Sequence, residues 1–91
     1  GIQPSIYTHP IGFHGHAAGT TIGMWDMQQG VPGSGDYEMR PNTCYSIELN
    51  ATHTISGWNR PVRIALEQNG CYNGSSFDYL DGRQKTILLI Q

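Results

Sequence analysis

The chain has 91 residues and a formal net charge of -2, so it holds one domain at most, with a modest core. Its five Lys and Arg residues, of which Lys85 is the only lysine, form no basic stripe, and nucleic acid is not an expected partner. No apolar run approaches the roughly 20 residues of a membrane helix, and twelve glycines and five prolines point to strands and turns.

The first element in chain order is a short extended stretch, Ser5 to His9, ended by Pro10. His9 to Gly23 is rich in His and Gly and carries little side-chain bulk. Met24-Trp25-Asp26-Met27 follows, and Trp25 is expected in the core. A Gly/Pro/Ser loop then runs from Gln28 to Asp36, with a turn at Pro41-Asn42. Thr43 to Leu49 alternates as a strand, with Cys44, Ser46 and Glu48 on one face and Tyr45, Ile47 and Leu49 on the other. Asn50 to Arg60, which contains His53 and Gly57, reads as a polar connection. Pro61 to Glu67 is a second strand, with Arg63 and Glu67 on one face and Val62, Ile64 and Leu66 on the other. Gln68 to Gly70 reads as an interruption, Tyr79 to Gln84 as a turn, and Lys85 to Ile90 as a last strand.

The two central strands form an expected antiparallel pair. In an unbroken antiparallel ladder the numbers of facing residues have a constant sum. Glu48 facing Glu67 gives 115, and Cys44 facing Cys71 gives the same value. One register therefore places both pairs on one face. The two cysteines are either a cross-strand disulfide or two free thiols, and alone they cannot make a zinc site. The sequons Asn50-Ala51-Thr52 and Asn73-Gly74-Ser75 are short enough to arise by chance.

Facing carboxylates repel each other unless a positive charge lies between them. A divalent metal is one solution, and a nearby imidazole moves the choice towards Mn, Fe, Co or Zn. Glu48, Glu67 and His16 make such a set, and the surrounding glycines would leave room for a substrate. Such a site activates water for hydrolysis. The plain alternative is that Glu48 and Glu67 are solvated residues on an exposed face and that His14 and His16 are surface histidines. Spacing alone leaves both open.

Three segments add a resemblance. The stretch His9-Pro-Ile-Gly-Phe-His-Gly-His-Ala-Ala-Gly19 resembles the glycine-rich segment of the creatinase / aminopeptidase P group of metallopeptidases, which supplies one histidine ligand followed three positions later by glycine. Arg40 to Leu49 resembles the segment ending in Ile-Glu-Pro, with Glu48 as the match. Val62 to Glu67 resembles the Arg-Ile-Glu segment, with Glu67 as the match. The order His, Glu, Glu agrees, and the resemblance spans roughly residues 5 to 90.

The resemblance implies an α+β fold, the strand-rich C-terminal portion of a "pita-bread" domain with mainly antiparallel sheet. Residues 1–91 would be one C-terminal fragment of that catalytic domain. It implies a dinuclear centre with Asp, Asp, His, Glu and Glu ligands, filled by two divalent ions, manganese first, with cobalt or zinc as alternatives. The function implied is hydrolysis of a peptide bond by an aminopeptidase or Xaa-Pro dipeptidase. By the same resemblance His16, Glu48 and Glu67 bind metal and Glu48 takes a proton from the attacking water. His14 or His9 touches the substrate, and Arg63 buttresses Glu67.

Several positions depart from the pattern. The two aspartates belong upstream of the histidine, and Asp26 and Asp36 come after it. The family's second histidine, seven residues after the ligand histidine, is Gly23 here. Leu49 replaces the family's proline, and two residues stretch the Arg63–Glu67 spacing. The 91 residues alone are therefore expected to hold metal weakly or not at all and to be inactive. The expected partners are a peptide substrate and the remainder of the catalytic domain or another chain. Two further readings stand beside this one. They are a binding module of the same fold that has lost its metal, and an independent β-rich module that binds sugar or peptide through Trp25, Trp58 and Tyr79.

Overall fold

A computed structural model describes residues 1–91. Four strands form one antiparallel sheet in the order β1-β2-β3-β4: β1 (Gln3–Pro10), β2 (Thr43–Ile55), β3 (Arg60–Tyr72) and β4 (Phe77–Tyr79). The only helical element is a 3-10 turn at Ser34–Asp36. This corrects the expected α+β class to mainly β. The helical share came only from the resemblance, and the chain lacks the apolar 3.6-residue repeat that a helix needs to bury a face.

The centre of the fold is the β2–β3 hairpin. Its ladder runs unbroken from Thr43↔Tyr72 to Ile55↔Arg60, with Cys44 opposite Cys71 and Glu48 opposite Glu67. The constant-sum register is thus the observed one. Cys44 and Cys71 are bonded as a disulfide. Two expected boundaries fail. Asn50 to Ile55 is strand rather than connection, and His53 faces Val62 within it. Thr52, Thr54 and Ile55 are β-branched and fit a pleated ribbon despite its polar surface. The actual turn is only Ser56 to Asn59. Gly57 (φ 91°) and Asn59 (φ 51°) take the left-handed conformations that so tight a reversal demands.

Gln68 to Gly70 does not interrupt β3. Gly70 is part of the ladder, and its missing side chain leaves room for the Phe77 ring. A Cβ there would run into Phe77 Cε1 and Cζ. β4 pairs with β3 only from Gly70↔Tyr79 to Tyr72↔Phe77.

β1 adds to the other side of the hairpin, with Tyr7 opposite Glu48 and His9 opposite Ser46. Its free edge is covered by the loop that follows it. Thr8 N–H donates to the Ile22 carbonyl at 2.9 Å. The Gln28 side chain accepts from Ile6 N–H and donates to the Ile6 carbonyl, each at 2.9 Å, in place of a neighbouring strand.

The two sheet faces differ. One carries Tyr7, His9, Ser46, Glu48, Arg63 and Glu67. The other carries Ile6, Thr8, Tyr45, Ile47, Leu49, Ile64 and Leu66. Only four residues are buried, with Tyr45 (5% exposed) as the apolar core. Tyr45 lies beside Phe77, ring centroids 6.5 Å apart, next to a cavity of about 330 Å³ that Thr8, Ile22, Met39 and Ile47 also line. Ile6, Leu49, Ile64 and Leu66 on that face stay exposed. Trp25 is 72% exposed, so it is not core. Lys85 to Ile90 is not a strand, since no edge pairs with it, and Ile87 to Ile90 are exposed.

Candidate carboxylate–imidazole site

The site lies on the polar face, where three strands meet in one row. Tyr7 of β1, Glu48 of β2 and Glu67 of β3 are successive register partners. Period-2 alternation puts all three side chains on the same face. His9 and Ser46 form the adjacent row.

Glu48 is held on both oxygens. The Tyr7 hydroxyl donates to Oε1 at 2.8 Å, and His9 Nε2 lies 3.1 Å from Oε2. The His9 and Glu48 side chains are 17% and 21% exposed, so solvent screens their contact only in part. His9 Nδ1 lies 2.9 Å from the Pro10 carbonyl. A carbonyl can only accept, so Nδ1 carries a hydrogen and Nε2 is the nitrogen presented to the carboxylate. Metal-binding histidines also have one nitrogen tied to a backbone carbonyl; here the other faces a carboxylate, and to ligate a metal it would have to give up that contact.

Glu67 has a separate donor. The Ser46 hydroxyl gives its hydrogen to Glu67 Oε1 at 2.7 Å, and Ser46 itself is only 2% exposed. The two facing carboxylates therefore use different hydroxyl donors, Tyr7 for Glu48 and Ser46 for Glu67. The Tyr7 phenol is pushed above its ordinary value. The hydrogen bond to Glu48 is the main cause, followed by desolvation and the charges of Glu48 and Glu67, while Arg63 opposes the shift. Ionising Tyr7 would place a phenolate against a carboxylate.

The sequence-derived residues are distributed as follows. Glu48, Glu67 and His9 share the face. Arg63 joins Tyr7, Glu48 and Glu67 around a small cleft of about 180 Å³. His16 does not reach a carboxylate in an ion pair; its ring stacks on His9 with centroids 4.0 Å apart and planes 24° apart. His14 is exposed and meets Phe13 edge-on at 4.9 Å. A second cleft, of about 380 Å³, lies beside Tyr7, His9 and His16 and is walled by Gly19, Trp25 and Tyr37.

Sequence reasoning missed Tyr7 and Ser46. Ser46 carried a usable signal, since alternation put it on the Glu48 face. Tyr7 carried none, because nothing local relates β1 to β2 across 41 residues.

The donor chemistry, two carboxylates and an imidazole, fits part of a divalent-metal site. It does not fill one, since no three His, Cys, Asp or Glu side chains converge to hold an ion. The fold and site together define an antiparallel β-sheet protein with a carboxylate–imidazole face. Comparison with protein-family models, curated proteins and solved structures finds no match to this chain.

Proposed function

We propose that this chain is the glutamate-bearing C-terminal part of a metal-dependent aminopeptidase or Xaa-Pro dipeptidase, active only with two aspartates from a longer polypeptide. The observation that carries the reading is Glu48 facing Glu67 across β2–β3, with His9 Nε2 against Glu48. Opposed carboxylates are unfavourable on a sheet, and a cation that joins them removes the penalty.

His9 is the better candidate for the histidine ligand than His16. It touches Glu48, its Nδ1 is tied back, and its Nε2 points at the carboxylate. The choice also removes one departure from the family pattern. The residue seven positions after His9 is His16, where the family places its second histidine. His9, Glu48 and Glu67 would then hold divalent ions, manganese first, with cobalt or zinc as alternatives. The ions' contribution there would be to activate water for attack on a peptide carbonyl.

In this reading Glu48 would take the proton from that water, and the Tyr7 hydroxyl, which donates to Oε1, would hold the carboxylate in place. Arg63 stands close enough to balance the negative row. His16, stacked on His9 and open to the larger cleft, would meet the peptide substrate. Trp25 and Tyr37 supply apolar walls for its side chains.

Manganese titration calorimetry on the full-length protein tests this. Binding should be lost in His9→Ala and Glu48→Ala and retained in His16→Ala. Loss in His16→Ala with retention in His9→Ala would return the ligand to His16. A second reading is a binding module without metal, favoured by the lack of three converging ligands. Absence of any Glu48-dependent metal binding would select it.

A further inference from the structure

We propose that Asn73 is a modification site, where the side-chain amide is lost spontaneously and the β3–β4 turn gains a carboxylate. The chemistry is independent of what the polar face does. The sequence holds two Asn-Gly pairs, Asn69-Gly70 and Asn73-Gly74, and a glycine after asparagine leaves its backbone nitrogen open to approach. The fold separates the two pairs. Gly70 is buried within the ladder, between Tyr45 of β2 and Tyr79 of β4, with the Phe77 ring against it. The Asn69 carbonyl accepts from Leu80 N–H at 3.0 Å. Ring closure at Asn69 would turn that peptide out of an extended strand. Asn73 and Gly74 lie outside the strands, in the exposed turn from Asn73 to Ser76.

The turn also activates Asn73. Its Oδ1 accepts from Ser75 N–H and from Ser76 N–H, each at 2.9 Å. Donors placed on a carbonyl oxygen stabilise the negative charge that develops there when the carbon is attacked. The Gly74 N–H donates to nothing, so no hydrogen bond is broken to use its nitrogen. That nitrogen loses its proton to solvent hydroxide and bonds to Asn73 Cγ. The Cγ–Nδ2 bond breaks, and Nδ2 takes a proton from water and leaves as ammonia. Water then opens the cyclic imide at either carbonyl, giving aspartate or its β-linked isomer. The sum is one water consumed and one ammonia released, with no change of oxidation state. Before the change, Nδ2 donates to Ser76 Oγ, and Ser76 Oγ donates to Asp78. Afterwards the new carboxylate and Asp78 compete for the one Ser76 hydroxyl hydrogen, at the start of β4.

The test is peptide mapping of the full-length protein after incubation at neutral pH in heavy-oxygen water, folded and in guanidinium, with the two asparagines resolved by fragment-ion sequencing. In guanidinium both Asn-Gly pairs should take up label at similar rates. In the folded protein Asn73 should label no more slowly than in guanidinium, and labelling of Asn69 should be lost. Ion exchange should show one added negative charge per chain building up over the same time. Asn73→Ser, whose hydroxyl can hold the same turn, should abolish that drift. Asn73→Gln, which must close a larger and less favoured ring, serves if the serine variant fails to fold. Slower labelling of Asn73 in the folded protein than in guanidinium overturns the inference, since the turn would then protect the amide. So does folded-state labelling of Asn69 as fast as that of Asn73, or a charge drift that persists in both variants.

Discussion

Glu48 and Glu67 stand directly opposite each other on the two arms of one hairpin, and each is held by a different set of donors. Without a cation, this arrangement costs stability. Like charges at directly facing sheet positions are unfavourable by up to about 1 kcal/mol. Glu67→Gln in a metal-free buffer should therefore raise the melting temperature by a few degrees, read by circular dichroism. Adding manganese should then stabilise the wild type more than the variant. A variant that melts below the wild type without metal would mean that the Ser46–Glu67 bond outweighs the repulsion.

The Tyr7 phenol gives a pH prediction. Its folded-state value lies above the ordinary one of about 10, because the hydrogen bond to Glu48 favours the protonated form. A raised value means that the folded chain holds the proton more tightly than the unfolded chain. The associated stability is complete below the ordinary tyrosine value and is lost as pH rises through the folded value. Glu48→Gln should move the Tyr7 titration back towards the ordinary value. Ultraviolet absorbance titration, with Tyr7→Phe to identify the signal among five tyrosines, measures this. An unmoved titration would show that Glu48 is not the cause.

The Cys44–Cys71 bond closes a loop across a sequence separation of 27. Restricting the unfolded chain to that extent stabilises the fold by about 3.5 kcal/mol. With only four buried residues, this is a large share of what a small domain has. Cys44→Ser/Cys71→Ser, or reduction, should shift the denaturation midpoint by a corresponding amount. Because the bond belongs to the same ladder as Glu48 and Glu67, the variant should also lose amide-exchange protection along β2 and β3.

Gly70→Ala should destabilise the chain by about 1–3 kcal/mol through overpacking. The added methyl would meet Phe77 at Cε1 and Cζ and approach the Asp78 carbonyl. Phe77→Leu in the same background should recover part of the loss in a urea melt. If Gly70→Ala is neutral, β4 does not pack on β3 as described.

The hairpin and β1 differ in how far the sequence reveals them, and the reason is physical. Alternation places Ser46 and Glu48 on one face, and the shared sum of 115 pairs both the glutamates and the cysteines from residue numbers alone. That inference works because the two strands are adjacent in sequence and an antiparallel ladder has one free parameter. The ends of the hairpin are less legible. Asn50 to Ile55 is polar enough to pass for a loop, and it becomes strand because β3 offers it a partner. Lys85 to Ile90 is apolar enough to pass for a strand and remains unpaired because no edge takes it up.

The sequence by itself carried the alternating faces of Thr43 to Leu49 and Pro61 to Glu67 and the register that sets Glu48 opposite Glu67; the structure extended that register through Gln68 to Gly70 and Asn50 to Ile55. The tertiary structure alone decided which histidine meets the carboxylates. His9 reaches Glu48 because β1 joins the far side of β2, a pairing across 41 positions with no local signature. His16 lies seven residues further along, in a loop, and its ring finds His9 rather than a carboxylate. Long-range strand order is set by which edges remain to be covered, and that is a property of the assembled sheet rather than of any one segment.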